Sequence, residues 1–244
     1  ARTLYEQVVK EKVYPVSSAR VAEMEKLLEN VFRNVNIALV NEMALLCDRM
    51  EINIWEVIEA AKTKPYGFMP FYPGPGLGGH CIPIDPFYLA WKAKEYDFNT
   101  RFIELAAEIN ERMPHYVVNR VSKVLNEHER CLNGARVLIL GITYKKNIGD
   151  LRESPVLKII KLLEEEKADV CYHDPYIPSF LFQNRRYESI KLNKSAIKSA
   201  DMVLIATDHD FYHYEEIVEQ AKSVFDTRNA TKNVTRGRNK IYLL

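Results

Sequence analysis

Between Pro65 and Leu89 the chain reads PYGFMPFYPGPGLGGHCIPIDPFYL, where proline and glycine recur so densely that neither helix nor strand can persist. Proline removes main-chain donors and fixes φ, while glycine opens conformations that other residues avoid. The segment must therefore be a shaped loop, and the rest of the chain divides around it.

Ahead of the loop, Ser17 and Ser18 are both suitable helix N-caps, and Val21, Met24, Leu28, Val31, Val35 and Leu39 follow at three- and four-residue steps toward Leu46. This spacing predicts one long helix, on the order of 40 Å at about 1.5 Å per residue, fit to be the spine of a helical domain and a dimer interface. A second helix is predicted over Ile54 to Ala61. The helical pattern resumes after Asp85, which can cap a helix beginning at Pro86, and runs through Phe87 to Lys94. It continues from Thr100 through Asn126, with Pro114 at a break or in a first turn.

Beyond about residue 130 the pattern changes. ARVLILGITYKKN reads as a buried strand ending at Gly141, SPVLKIIKLLEEEKA as a helix, and DVCYHDPY and DMVLIATDH as further strands. Lys222 to Thr227 supplies another strand, and the final RNKIYLL is either a last strand or a tail. Strands alternating with helices imply a doubly wound parallel sheet, so the expected fold class is α/β: an all-helical region over residues 1–130 and a Rossmann-like domain over 131–244. Gly141 is followed by none of the remaining glycines of GxGxxG, which disfavours a stand-alone dinucleotide-binding oxidoreductase.

Charge and cysteine usage exclude several classes of function. The 34 basic residues are balanced by 33 acidic ones, leaving a net charge of +1 and no basic footprint for nucleic acid or an anionic membrane. Cys47, Cys81, Cys131 and Cys171 are widely separated, with no CxxC pair, which argues against structural disulfides and zinc. No apolar run approaches the roughly 20 residues of a membrane helix, and a cytoplasmic location is expected. The chain opens on Ala1, and ARTLYEQVVKEKVYPV reads as the end of one unit leading into another, so a preceding segment is expected.

The glycine run ends at Cys81. Main-chain N–H groups of such a loop can cradle phosphate oxygens and admit a bulky ligand, and a thiol beside an anion cradle suggests covalent catalysis; the alternative is a tight turn around an inert cysteine. Lys26 and Asn30 are one turn apart and share a helix face, with Asn41 roughly 60° around it. Asp85 is a candidate base as well as a cap, whereas His80, adjacent to the thiol, should point away from it. His209 and His213, flanked by Asp208 and Asp210, have a spacing that could hold a metal on a helix, but TDHDFY at a strand end reads more simply as a loop and cap. No metal is expected.

FYPGPGLGGHCIPIDPFYL resembles the active-site signature of the UDP-glucose/GDP-mannose dehydrogenase family, and the likeness extends to AEMEKLLENVFRNVNIALVNE before it and GITYKKNIGDLRES after it. The three motifs span most of the chain and correspond to the family's central helical domain and its C-terminal nucleotide-sugar domain. The resemblance implies Cys81 as nucleophile, with Lys26, Asn30 and Asp85 as its catalytic partners. It implies substrate contacts from Tyr72, Pro73, Gly74, Gly76, Leu77, Gly78, Tyr144, Lys145 and Arg228, and Arg152 reaching toward the cofactor, NAD. CIPID carries Ile84 where many UDP-glucose enzymes have lysine, and GGHCIPIDP is similar to the branch acting on UDP-N-acetylhexosamines, in particular UDP-N-acetylglucosamine 6-dehydrogenases.

What the resemblance implies chemically is oxidation of the sugar C6 hydroxyl to a carboxylate in two hydride transfers, through a thiohemiacetal and a thioester on Cys81. Lys26 and Asn30 would stabilise the oxyanion and Asp85 would orient or deprotonate water. A homodimer through the long helix is also implied. The family's N-terminal Rossmann domain is absent from these motifs, so the competing expectation is a noncatalytic module that binds a UDP-sugar and dimerises.

Overall fold

A computed structural model describes residues 2–244; Ala1 lies outside the described residues. After a short helix, α1 (Arg2–Tyr5), the predicted spine appears as α2 (Ala19–Arg49), capped by the Ser18 hydroxyl accepting from the Val21 N–H. Its 31 residues correspond to roughly 46 Å. Helix α3 (Ile54–Lys62) is capped by Asn53. The shaped loop follows, then α4 (Cys81–Ala93) and α5 (Arg101–Glu127).

Two sequence expectations need correction here. Helix α4 starts at Cys81, with His80 in the cap position, so Asp85 lies inside the helix and does not cap it. Pro83 falls in the first turn, whose N–H groups have no intrahelical partners, whereas Pro86 lies inside the helix and leaves the Ile82 carbonyl without its usual donor; that carbonyl accepts from Asn34 Nδ2 at 3.4 Å. Pro114, expected at a break or first turn, sits buried within the continuous α5. Its ring leaves the Asn110 carbonyl without the usual helical donor, and that carbonyl faces the glycine loop.

Helix α2 packs against α4 and α5 with an unusual face. The residues it buries are Asn30, Asn34, Ala38, Asn41, Ala44 and Cys47, while Val21, Met24, Leu28, Leu39, Leu46 and Met50 stand exposed. The periodicity that identified the helix thus belongs to its outer face. Small and amide side chains line the inner one, allowing close helix approach and hydrogen bonding across it.

The α/β part is a five-stranded, all-parallel sheet in the order β2-β1-β5-β6-β7: β1 (Arg136–Leu140), β2 (Asp169–His173), β5 (Met202–Ile205), β6 (Val224–Asp226) and β7 (Ile241–Leu243). The final segment is therefore a strand, paired in parallel with β6. Helix α6 (Pro155–Glu165) and the second half of α5 cover one face through Val117, Val121, Ile159, Ile160 and Leu163; α7 (Lys194–Ser199) and α8 (Tyr214–Gln220) cover the other. Central strands buried on both faces read as the near-continuous apolar runs RVLIL and MVLI. A hairpin of β3 (Ser179–Phe182) and β4 (Arg185–Glu188) was not anticipated; its two-residue turn, Gln183–Asn184, has φ of 49° and 61°, as a primed turn requires.

Helix α5 belongs to both regions, packing on α2 at one end and on the sheet at the other. The chain terminus ties them again, since Trp55 Nε1 donates to the Leu244 main-chain oxygen at 3.1 Å and Leu243 packs on Ala44, Cys47, Ile54 and Ile58. Among the described residues no helix is long and apolar enough to cross a membrane.

Candidate active site

The shaped loop is held by a chain of buried amides. The Gly74 N–H donates to Asn41 Oδ1 (3.0 Å), Asn41 Nδ2 to Asn110 Oδ1 (2.9 Å), Asn110 Nδ2 to Asn34 Oδ1 (2.7 Å), and Asn34 Nδ2 to the Ile82 carbonyl (3.4 Å). Each amide accepts on one side and donates on the other, so the series is satisfied in a single direction and its members polarise one another. Its ends are the first glycine of PGPG and the residue after Cys81. Three asparagines, each at most 5% exposed, therefore anchor both ends of the loop to α2 and α5.

The loop's glycines are seated against the sheet. A methyl carbon built on Gly74 would lie 2.6 Å from Arg228 Nη1, one on Gly76 2.8 Å from Pro155 Cβ, and one on Gly78 2.5 Å from Tyr144 Cβ. No side chain fits at any of these points. Gly76 and Gly79 also have φ of +131° and +89°, which favour glycine for a second reason. The Gly79 N–H donates to the Arg152 carbonyl at 2.9 Å, closing the seam.

Cys81 is exposed at the first position of α4, and Asp85 follows one turn later on the same face. Asn30, 1% exposed, donates from Nδ2 to Asp85 Oδ2 at 2.8 Å. The thiol, the carboxylate and the amide are thus brought together by α4 lying on α2. Lys26 is one turn further along α2, exposed, with its ammonium 3.1 Å from Glu29; among the described residues it forms no ion pair with Asp85. His80 is exposed.

The remaining candidates sit on loops at the carboxyl ends of the strands, where ligands bind in open parallel sheets. Tyr144 and Lys145 follow β1, Lys145 being exposed and Tyr144 covered by the glycine loop. Arg228 follows β6, with Nε donating to the Ala206 carbonyl at 3.0 Å. Burial lowers its affinity for a proton, against which the charges of Asp208 and Asp226 act. Asp226 is fully buried; burial pushes its carboxyl up, although Thr231 and the Arg228 N–H all donate to it. Arg152 is exposed and chelated by Asp150, its Nη2 2.7 Å from Oδ2. The Asp150 hydrogen bonds raise Arg152 and hold Asp150 below the usual carboxylate range.

Residues of the glycine loop line two clefts. One of about 630 Å³ is lined by Tyr72, Pro73, Arg228, Trp55, Lys232 and Arg238; the other, about 580 Å³, by Leu77, Pro83, Asn34, Asn110, Glu153 and Lys158. Cys81, Tyr144 and Lys145 line neither. Tyr72 stacks on Trp55 with ring centroids 6.1 Å apart, and its hydroxyl donates to Glu59 at 2.8 Å.

The turn after β1 does not fit a dinucleotide. A methyl carbon at Gly141 would lie 2.5 Å from the Thr207 carbonyl oxygen, so this glycine packs the turn against the loop after β5 instead of opening it to a pyrophosphate. Among the described residues no cluster of side chains could hold a metal. His209 is fully buried and hydrogen-bonded, and His213 precedes α8 without a side-chain cap. Sequence reasoning missed Asn34, Asn110, Asp174 and His209 as structural parts of the site. The signal for the amides was their spacing: Asn30, Asn34 and Asn41 fall within about 40° of one another on one face of α2.

Two models of a single family match the chain: the central domain of the UDP-glucose/GDP-mannose dehydrogenase family over residues 20–112, and its UDP binding domain over residues 138–233. A UDP-N-acetyl-D-mannosamine dehydrogenase of Methanococcus vannielii is 38% identical over 237 residues, covering 94% of this chain and 52% of that protein. A UDP-N-acetyl-D-glucosamine 6-dehydrogenase of Pseudomonas aeruginosa is 39% identical over 175 residues, covering 72% and 41%. The solved UDP-D-ManNAc dehydrogenase of Pyrococcus horikoshii superposes with a TM-score of 0.84 at 34% identity, covering 99% of this chain and 55% of that one. The chain spans about half the length of the relatives it matches.

Replacing Asn110 by alanine strands Asn34 Oδ1 and Asn41 Nδ2 in the interior and is expected to cost about 2–4 kcal/mol in urea unfolding. A loss below about 0.5 kcal/mol, within the range of ordinary surface substitutions, would mean that the relay does not hold the loop.

Proposed function

The chain belongs to the UDP-glucose/GDP-mannose dehydrogenase family, of which it carries the central and UDP-binding domains, and from that premise we propose that it forms the substrate and nucleophile half of a UDP-N-acetylhexosamine 6-dehydrogenase. The observation that carries the reading is the seating of the glycine loop on Tyr144 and Arg228, which places Cys81 beside loops of the UDP-binding domain. The relatives named for UDP-N-acetyl-mannosamine and -glucosamine support an amino-sugar substrate, as does the GGHCIPIDP sequence itself.

In this reading Lys145 and Arg228 supply positive charge to the diphosphate, and the main-chain N–H groups of Gly76, Leu77 and Gly78 line its approach. Cys81 adds through sulfur to the C6 aldehyde carbon, giving a thiohemiacetal whose oxygen lies at the N-terminal end of α4, where unpaired N–H groups favour negative charge. Lys26 swings from Glu29 toward that oxygen when substrate binds. After oxidation to the thioester, Asp85, oriented by Asn30, takes a proton from the water that releases the acid and restores the thiol. Each oxidation needs a hydride acceptor that the turn after β1 does not fit, so NAD would be held by residues outside these 244, with Arg152 reaching toward it. By themselves these residues bind the nucleotide sugar without oxidising it.

Calorimetric titration of the chain with UDP-N-acetylglucosamine and UDP-N-acetylmannosamine tests the reading, and the tighter ligand names the epimer. Lys145→Ala is expected to weaken binding about 10–100-fold, the worth of one charge-assisted hydrogen bond. Absence of binding by either sugar nucleotide, or an affinity unaffected by Lys145→Ala, would contradict it.

We also propose that the exposed stripe of α2, with Met24, Leu28, Leu39 and Leu46 at its centre, pairs two copies of the chain. Light scattering is then expected to give twice 28.4 kDa, falling to the single-chain mass in the double variant Leu28→Glu, Leu46→Glu. A monomeric parent, or a dimer indifferent to both charges, would rule that interface out.

A further inference from the structure

His209 is 0% exposed, lies outside the residues assigned above to binding or chemistry, and touches the loop that carries Tyr144 and Lys145. Its Nδ1 accepts the Asn147 N–H at 2.9 Å, so Nδ1 bears no proton and the neutral ring carries its hydrogen on Nε2. From Nε2 that hydrogen faces Asp174 Oδ2 at 3.1 Å and Thr143 Oγ1 at 3.2 Å. Thr143 in turn donates to the Lys145 carbonyl at 2.9 Å, and the Thr207 hydroxyl donates to the Thr143 carbonyl at 2.6 Å. Asp174 is held by the Ile142 N–H at 2.8 Å and the Tyr176 N–H at 2.8 Å.

These bonds grip the main chain at 142, 143, 145 and 147, on both sides of Tyr144 and Lys145. The grip matters because the loop has few bonds of its own. Asn147 has φ of +61°, a left-handed conformation that costs a non-glycine residue about 1 kcal/mol or more. Within the loop, the Tyr144 N–H to Asp150 carbonyl bond at 3.2 Å closes the turn. An outer clasp joins Asn147 and Lys146 to Asp210, but it is exposed to solvent.

We propose that neutral His209, oriented by Asp174, is a positioning residue that holds the Thr143–Asp150 loop in the conformation that presents Tyr144 and Lys145 to the diphosphate of a nucleotide sugar. The ring must offer an acceptor to Asn147 and a donor to Asp174 at once, which neither a cationic imidazole nor an apolar side chain can do. For its ligand the inference rests on the function proposed above; the state of the loop is read independently of any ligand.

The test uses the 244-residue chain, with amide hydrogen exchange at Asn147 measured without ligand and UDP-N-acetylglucosamine and UDP-N-acetylmannosamine titrated by calorimetry. In His209→Phe, which keeps ring volume, exchange at Asn147 is expected to quicken roughly 30-fold while Val137 and Leu204 in the strands stay protected. Affinity for the tighter sugar nucleotide is expected to fall roughly tenfold. His209→Asn places an amide oxygen where Nδ1 stood and should recover most of both losses. Should the phenylalanine variant not fold, His209→Gln, whose amide reaches toward Asp174 but offers no acceptor at the position of Nδ1, is expected to quicken Asn147 exchange roughly tenfold.

Unchanged Asn147 exchange in the variant that folds would overturn the proposal. So would faster exchange at parental affinity in His209→Phe, or a His209→Asn variant no better than His209→Phe. Failure of the parent to bind either nucleotide sugar would instead remove the ligand reading, and the exchange pattern would still decide whether His209 holds the loop.

Discussion

The relay Gly74–Asn41–Asn110–Asn34–Ile82 is the constraint on which the rest of this molecule depends. A loop this rich in proline and glycine has little regular hydrogen bonding of its own, yet it must be rigid enough to present one thiol. Burying three amides to hold it carries a desolvation cost that is recovered only when each amide nitrogen and oxygen finds a partner, as each does here. This explains why α2 turns its asparagines inward and leaves its leucines outside. Satisfying the loop took precedence over burying oil, and the exposed leucines remain available to a second chain.

A second constraint acts from the sheet side. The glycines at 74, 76 and 78 are close-contact points against Arg228, Pro155 and Tyr144, so the loop is trapped between two layers that each have their own core. Helix α5 spans both, and Pro114 within it frees the Asn110 carbonyl beside Gly76. The thiol, its neighbouring carboxylate and the strand-end loops are thereby held in register.

Much of this was legible in the sequence. The long helix and the parallel sheet followed from apolar period and from RVLIL and MVLI. The grouping of Cys81 with Asp85 and Asn30 was implied by the family resemblance, and the structure sets Asn30 Nδ2 2.8 Å from the carboxylate one turn after the thiol. What was not legible had specific causes. The start of α4 was placed five residues late, because Asp85 followed by Pro86 reads as a cap and a first-position proline, whereas the helix takes Pro83 into its first turn and Pro86 into its interior. The Gln183–Asn184 hairpin was missed because its turn uses left-handed residues other than glycine. Asn110 was passed over and His209 was read only as part of a loop and cap, because their roles arise from contacts with Asn34, 76 positions away, and with Asn147, 62 positions away, and no local pattern records such pairings.

The most direct measurement of the central claim, that the Cys81 loop and the UDP-binding domain form one site, is the alkylation rate of individual cysteines with and without a saturating UDP-N-acetylhexosamine. Cys131 is also exposed and lies in the connection between α5 and β1, so it serves as an internal control. The account predicts that the nucleotide sugar slows modification of Cys81 about tenfold or more, as burial of a thiol beneath a bound ligand should, and leaves Cys131 unchanged. A ligand that binds the chain while Cys81 reacts at its free rate would show that the thiol and the nucleotide-sugar site are separate.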